Sequence, residues 1–429
     1  MRVRRRLTGA TVGALTVLVL GAVSALAATA ASGPTFPTRD PFYSYSGSLK
    51  HIAPGTVLRT RTIALAGATG SAPKSATEVL YRTTGELGQP TVTVATIIRP
   101  TSQTGPTKIL SYQTAYDALG AQCDPSYTLQ AGSPSYSLST AEEQVFLAYV
   151  SAGDTVVVPD YEGERLDWIA GQESGYGTLD GLRAAERVLH VPPASTPVGM
   201  IGYSGGSVAT EFASELAHAY APKLDIVGVA EGGIPVDLFH NTAYVNGSPV
   251  WSGTIPATLV SLARAFHVNF TPYLSAYGVR VTDKVKHECI TSFLGAYPGL
   301  TYQKLLKSKY HDIFKIPALV KFTDHLIMSR TGTPNGPLFI GVGDSDGTGD
   351  GVMVTKDDEA LAHTYCKRGI SVEFNAYKGD DHTQAAVPFE EGAATFLGDR
   401  LDGKPVPDNC SSVGVGNSLA PLPVPRTGP

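Results

Sequence analysis

The sequence predicts an α/β fold with a mostly parallel central sheet, interrupted once by an inserted, mainly helical cap. Three observations carry this. Short apolar runs alternate with stretches of helical period between about residues 108 and 230, the alternation breaks from 235 to 330, and it resumes at Pro337. Continuous apolar runs suit strands buried on both faces, and their alternation with helices suits crossovers that cover both faces of one sheet.

The elements follow in order. Residues 28–50 are rich in Pro, Ser and Thr and read as an extended lead-in. Residues 56–100 are rich in β-branched side chains, and 77–82 and 90–98 read as strands of an antiparallel start. Lys108–Tyr112 and Asp154–Pro159 are buried parallel strands, with helical period from Thr140 to Ser151 between them. Leu179, Leu182, Ala185 and Leu189 place a helix over 177–189. A strand at 197–201, a helix at 207–219 and a strand at 226–230 complete the first half. After the break come a strand at 337–342, a helix at 357–366 and a strand at 371–377. The domain reading is thus a core over 28–234, a helical cap over 235–330, the rest of the core over 331–410, and a Pro-, Gly- and Ser-rich tail over 411–429, expected to be disordered.

The first residues set the compartment. Met1 is followed by a basic cluster, an apolar run from Ala10 to about Leu26 and the small residues Ala25-Leu26-Ala27-Ala28. This is the pattern of a cleaved signal peptide over 1–27, and the run is short for a membrane anchor. Arg4-Arg5-Arg6-Leu7 also fits twin-arginine export, so the route stays open while a secreted protein is expected. Lys and Arg total 33 and Asp and Glu 38, for a formal net charge of −5, and no basic run follows the signal; this argues against nucleic-acid binding. Cys123, Cys289, Cys366 and Cys410 are even in number and lack C-x-x-C spacing. In an exported chain they predict two disulfides, in any of three pairings, rather than a zinc site.

The chemistry is carried by a G-x-S-x-G pattern, which occurs twice. Gly202-Tyr203-Ser204-Gly205-Gly206 lies between a strand and a helix, where a tight turn exposes the central Ser; it is the nucleophile elbow of an α/β-hydrolase fold. Gly343-Asp344-Ser345-Asp346-Gly347 puts its Ser between two carboxylates, which would repel a developing oxyanion, and further glycines follow. Ser204 is therefore the expected nucleophile. A serine needs a His base and an acid to orient it, and this fold orders them Ser, Asp or Glu, His. His382, in an expected loop after the last strand, fits as base. His51 and His190 precede Ser204; His240, His267, His287, His311 and His325 fall in the cap; His218 and His363 fall within helices. The acid should follow the strand 337–342, which leaves Asp344, Asp346 and Asp350, and residue types do not decide between Asp346 and Asp350.

The chain resembles the secretory lipases, a family of α/β-hydrolases. The likeness runs from about Asp40 to Cys410 through Asp40-Pro41-Phe42-Tyr43, Tyr81-Arg82-Thr83-Thr84, Ser111-Tyr112-Gln113, Cys123-Asp124-Pro125-Ser126-Tyr127, Asp160-Tyr161-Glu162-Gly163, Leu179-Asp180-Gly181-Leu182-Arg183 and the elbow. The resemblance implies Asp350, followed by Gly351-Val352-Met353-Val354, as the triad acid. It implies an oxyanion hole of the Gly205 N–H and the side chain of Asp117, and an Asp donates only when protonated, so its pKa must be raised. It also implies the pairs Cys123–Cys289 and Cys366–Cys410. Tyr116 stands where fungal members carry an acid, and the cap matches little.

The expected activity is secreted ester hydrolysis by a lipase or carboxylesterase, through a covalent acyl-enzyme. The partner is a lipid or other ester, with transient contact at a lipid interface; no cofactor, metal, nucleic acid or obligate protein partner is expected. The rivals are a peptidase on the same fold and a catalytically silent surface-binding protein. Apolar cap residues, Leu259, Phe266 and Leu274 among them, are expected to line an acyl pocket above Ser204.

Overall fold

A computed structural model describes residues 33–426, apart from 71 and 311. The expected signal peptide lies outside the described residues. The strands are β1 Val57–Ala64, β2 Ser75–Thr84, β3 Pro90–Ile98, β4 Ile109–Gln113, β5 Thr155–Pro159, β6 Pro197–Tyr203, β7 Asp225–Gly232, β8 Leu338–Asp344 and β9 Val372–Lys378. They form one sheet in the order β1-β2-β3-β5-β4-β6-β7-β8-β9. β1, β2, β3 and β5 pair antiparallel in succession, and every pair from β5 through β4 to β9 is parallel.

The helices are α1 Pro125–Thr128, α2 Leu138–Ala152, α3 Gly171–Leu189, α4 Gly205–Tyr220, α5 Leu238–Val245, α6 Thr254–Ala265, α7 Ala276–Val285, α8 Ile290–Phe293, α9 Tyr302–Leu305, α10 Pro317–His325, α11 Thr355–Lys367 and α12 His382–Leu401. Alternate residues of each central strand enter opposite layers, as the two-residue strand period requires. Ile109, Val157, Val198, Met200, Leu338 and Ile340 join a core with α3, α4 and α11. Leu110, Val156, Val158, Ile201 and Phe339 join a second core with Phe146 and Leu147 of α2 and Phe389, Phe396 and Leu397 of α12.

Between β7 and β8 the described residues contain α5 to α10 and no strand of the sheet. Buried side chains of this segment, including Leu259, Leu262, Phe293, Ile316 and Leu319, are continuous with the α3–α4 core rather than closed off from it.

Three local expectations are corrected. α3 starts at Gly171, six residues before the expected start at residue 177. His382 is not in a loop but opens α12, whose N-cap Asp381 accepts N–H bonds from Thr383 and Gln384 while the Gln384 side chain accepts from the Asp381 N–H. This capping box fixes the helix start two turns before Pro388, which obscures the helix in the sequence. The segment after Cys410 is ordered through residue 426. Gly414 donates to Glu359 at 3.1 Å, Asn417 donates from its side chain to Asp357 at 2.8 Å, and Leu422 donates to Asp324 at 2.9 Å, so the chain straps across α11 to α10. The Pro-, Gly- and Ser-rich composition did not announce these hydrogen-bond anchors.

Candidate active site

Ser204 sits between β6 and α4 with φ 56° and ψ −124°, a conformation an L-residue adopts only under tight constraint. The constraint is close packing. A methyl on Gly206 would collide with the Gln113 carbonyl of the neighbouring strand, and one on Gly205 would run into the Asp117 carboxyl. The turn lifts Ser204 Oγ clear of the sheet at the positive end of α4.

The parallel sheet brings the other groups to the same edge. His382 Nε2 lies 2.7 Å from Ser204 Oγ, and His382 Nδ1 lies 2.7 Å from Asp350 Oδ2. Asp350 Oδ1 accepts the N–H groups of Val352 and Met353 at 3.0 and 2.7 Å, so both of its oxygens are used. The imidazole is enclosed by the Tyr203 ring and the edge-on Trp251 ring, with centroids 5.0 and 5.2 Å away, and the Tyr203 hydroxyl donates to the His382 carbonyl at 2.7 Å.

Asp344, Asp346 and Ser345 do something else. Asp346 Oδ1 accepts from Thr348 and Gly349 N–H, its Oδ2 accepts from the Tyr244 hydroxyl, and these bonds hold its carboxyl below the usual range. Asp344 accepts from Gly347 N–H, and the exposed Ser345 donates to the Gly349 carbonyl. The second G-x-S-x-G is a self-bonded turn.

Asp117 is 2% exposed, has φ 42°, and lies beside Gly205. Burial pushes its carboxyl up to about 6, against the opposing pull of the Trp168 N–H and of His382. Its loop is pinned on both sides: Ala115 N–H donates to Glu142 and Ala118 N–H to Glu162, each at 3.0 Å. Trp168, Trp251 and Glu142 were not singled out from the sequence, and Tyr203 and Glu162 stood only inside quoted motifs with no role of their own. Tyr203 is one of the two variable residues of the elbow motif, and Trp168, Trp251 and Glu142 carry no local pattern.

A cavity of about 60 Å³ adjoins Ser204, walled by Ile169, Val208, Leu238, Val245, Ile255 and Met353 among others. The expected wall residues Leu259, Phe266 and Leu274 do not reach it. They are buried elsewhere, Phe266 stacked on Phe322 at 4.2 Å, because α6 turns Ile255 and Thr258 toward the site instead. Among the described residues no three His, Cys, Asp or Glu side chains are grouped to hold a metal ion, and no helix is long and apolar enough to cross a membrane. Cys123 pairs with Cys289 and Cys366 with Cys410.

A parallel sheet with a strained strand–Ser–helix elbow at its edge is the α/β-hydrolase fold. The family model of the secretory lipases matches residues 129–409. The chain belongs to the secretory lipase family, and with it to the hydrolases of the lipase and esterase kind. It is 33% identical over 391 residues to a probable inactive lipase of Mycobacterium tuberculosis, covering 88% of this chain and 85% of that one. It is 32% identical over 408 residues to lipase A of Arthroderma benhamiae, covering 89% and 83%. Its structure superposes on Candida antarctica lipase A in the closed state with a TM-score of 0.81 at 26% identity, over 88% of this chain and 89% of that one.

Proposed function

We propose that this protein is an exported lipase or carboxylesterase that cleaves carboxylic esters, triacylglycerols among them, through an acyl-enzyme on Ser204. The observation that carries the reading is the Ser204–His382–Asp350 chain, with two 2.7 Å contacts in series, opening on an apolar cavity. One relative bears the name of an inactive lipase, so hydrolysis by this chain is what the test below measures.

In the proposed reaction Ser204 Oγ attacks the ester carbonyl carbon and its proton passes to His382 Nε2. The carbonyl oxygen becomes an oxyanion that accepts from Gly205 N–H and from protonated Asp117. When the tetrahedral adduct collapses, the C–O bond to the alcohol breaks and His382 returns its proton to the leaving oxygen. Water then repeats the sequence on the acyl-enzyme and frees Ser204. Asp350 keeps the imidazole in the tautomer with Nδ1 protonated. Two disulfides and the family support export to an oxidising compartment. Contact with a lipid interface is part of the proposal.

The test compares Ser204→Ala with Ser345→Ala. Ser204→Ala abolishes p-nitrophenyl ester hydrolysis and fluorophosphonate labelling; Ser345→Ala keeps both. A peptide nitroanilide run alongside stays uncut. Full labelling of Ser204→Ala, or peptide cleavage at the ester rate, overturns the proposal.

A further inference from the structure

The proposed oxyanion acid meets one side chain that no step above uses. Trp168 Nε1 donates to Asp117 Oδ1 at 2.9 Å across 51 positions of sequence, and Trp168 is 7% exposed. An indole N–H only donates, so the oxygen it meets must accept. A protonated carboxyl has one good acceptor oxygen and one that carries the proton.

We propose that Trp168 is the positioning residue of the oxyanion hole: by holding Asp117 Oδ1 as acceptor, it leaves the proton on Oδ2 and fixes the direction in which Asp117 donates to the substrate oxygen.

Three further observations show that the structure fixes this contact. The backbone on both sides of Trp168 is left-handed at non-glycine residues, Leu166 at φ 56° and Ile169 at φ 58°, a strain that persists where the surroundings over-determine a position. The indole lies against Phe293, at a centroid distance of 6.0 Å, and the Trp168 backbone carbonyl accepts from the Ser261 hydroxyl, so α6 and α8 hold the residue in place. Arg264 of α6 donates at 3.2 Å to the carbonyls of Leu119, Arg165 and Leu166. One guanidinium thus clamps the loop that carries Asp117 to the loop that carries Trp168.

The N–H also affects the proton. A donor at Oδ1 favours the carboxylate, so Trp168 lowers the Asp117 pKa while burial raises it. The other titratable groups around Asp117 are His382 on α12, Glu142 on α2, Glu162 and Tyr161 after β5, and the adjacent Tyr116. Replacing the indole leaves these groups in place.

The inference rests on Asp117 being the oxyanion donor, and the experiment separates the two claims. Trp168→Phe keeps a ring against Phe293 and loses the N–H; β-(3-benzothienyl)alanine at position 168 keeps the full ring outline and loses only the N–H. Both are measured on an acetyl ester, in the native background and with Asp117→Ala. The expected result is a kcat loss of roughly tenfold or more, a fraction of what deleting an oxyanion donor costs, with KM little changed. The alkaline limb of the kcat–pH profile moves to higher pH. In the Asp117→Ala background either change at Trp168 costs less than about twofold. An equal loss in both backgrounds, or an unmoved pH limb and kcat in a folded benzothienyl variant, overturns the role of Trp168. An Asp117→Ala enzyme with full kcat overturns the oxyanion reading itself, whatever Trp168 does.

Discussion

Asp350 holds His382 twice: its carboxylate Oδ2 meets Nδ1 at 2.7 Å, and its backbone carbonyl accepts the His382 N–H at 2.8 Å. The second bond ties the start of α12 to the loop after β8, so the ring is placed by backbone as well as by charge. Asp350→Asn keeps the backbone bond and loses the carboxylate that selects the tautomer. The expected kcat loss is about 10⁴-fold, as in serine proteases, with the melting temperature little changed. Asp346→Asn perturbs an exposed turn and its bond from the Tyr244 hydroxyl, and costs less than about tenfold by the same comparison. Steady-state kinetics on both variants check this, and a larger loss in Asp346→Asn would reverse the assignment.

The contrast between these two aspartates shows what the sequence could disclose. Both follow the same strand and both neighbour glycines, so residue type cannot rank them; only the placement of α12 puts one under the imidazole. Ser204 and Ser345 could be ranked, because their difference is local: one is flanked by strand and helix, the other by carboxylates and glycines. The parallel strands were legible because burial on both faces writes itself as unbroken apolar runs such as Val156-Val157-Val158. α12 was hidden because Pro388 and Gly392 break its local propensity while Ala385, Phe389, Ala393 and Phe396 bury its face. Trp168 had no signal at all, since its partner is set by two loops that meet only in the fold.

The disulfide Cys123–Cys289 lies next to Asp117. Ile290 N–H donates to the Asp117 carbonyl at 3.0 Å, Leu119 N–H donates to the Glu288 carbonyl at 2.9 Å, and Ala118 pairs with Cys289 between them. The bond therefore staples the proposed oxyanion loop to the segment after α7. Cys366–Cys410 ties α11 to the C-terminal strap, away from Ser204. Removing either pair by double Ser substitution should cost about 2–4 kcal/mol of stability. Only loss of Cys123–Cys289 should also lower kcat, measured where both variants are folded. Equal kcat values for the two variants would detach the disulfide from catalysis.

The protein should be more stable in mild acid than in mild alkali. Burial raises Glu231 and Glu215 to about 8 and Glu390 to about 7, from an ordinary value of 4.5. Glu231 faces Glu211, also raised by burial, and the two carboxyls can bond only if one carries a proton. An unfolded chain releases these protons near 4.5, and the folded chain holds them to about 8. Between those values the folded state binds more protons, so stability is present below 4.5 and is lost as pH rises toward 8. Melting temperatures should fall by several degrees between about pH 5 and about pH 8.5, and Glu231→Gln, neutral at both, should flatten the decline. A flat native profile across this range would contradict the arrangement.

The cavity beside Ser204 is the proposed seat of the acyl chain. At about 60 Å³ it is small, so a short acyl chain fits it better than a long one. Val245 on α5 and Ile255 on α6 are walls with no part in the triad. Ile255→Ala removes bulk beside Ser204, and Val245→Trp adds it. A hydrophobic pocket discriminates single methylenes by about tenfold or more. The ratio of kcat/KM for octanoyl over acetyl p-nitrophenyl esters should therefore rise about tenfold in Ile255→Ala and fall by a similar factor in Val245→Trp. Activity on the acetyl ester should change much less, because both residues are apolar walls that take no part in proton transfer. Leu259→Trp serves as the contrast: Leu259 is buried one residue beyond the wall and off the cavity, so it should cost stability without moving the ratio. If Ile255→Ala and Val245→Trp both fold and leave the ratio unchanged, the acyl chain leaves Ser204 by another path.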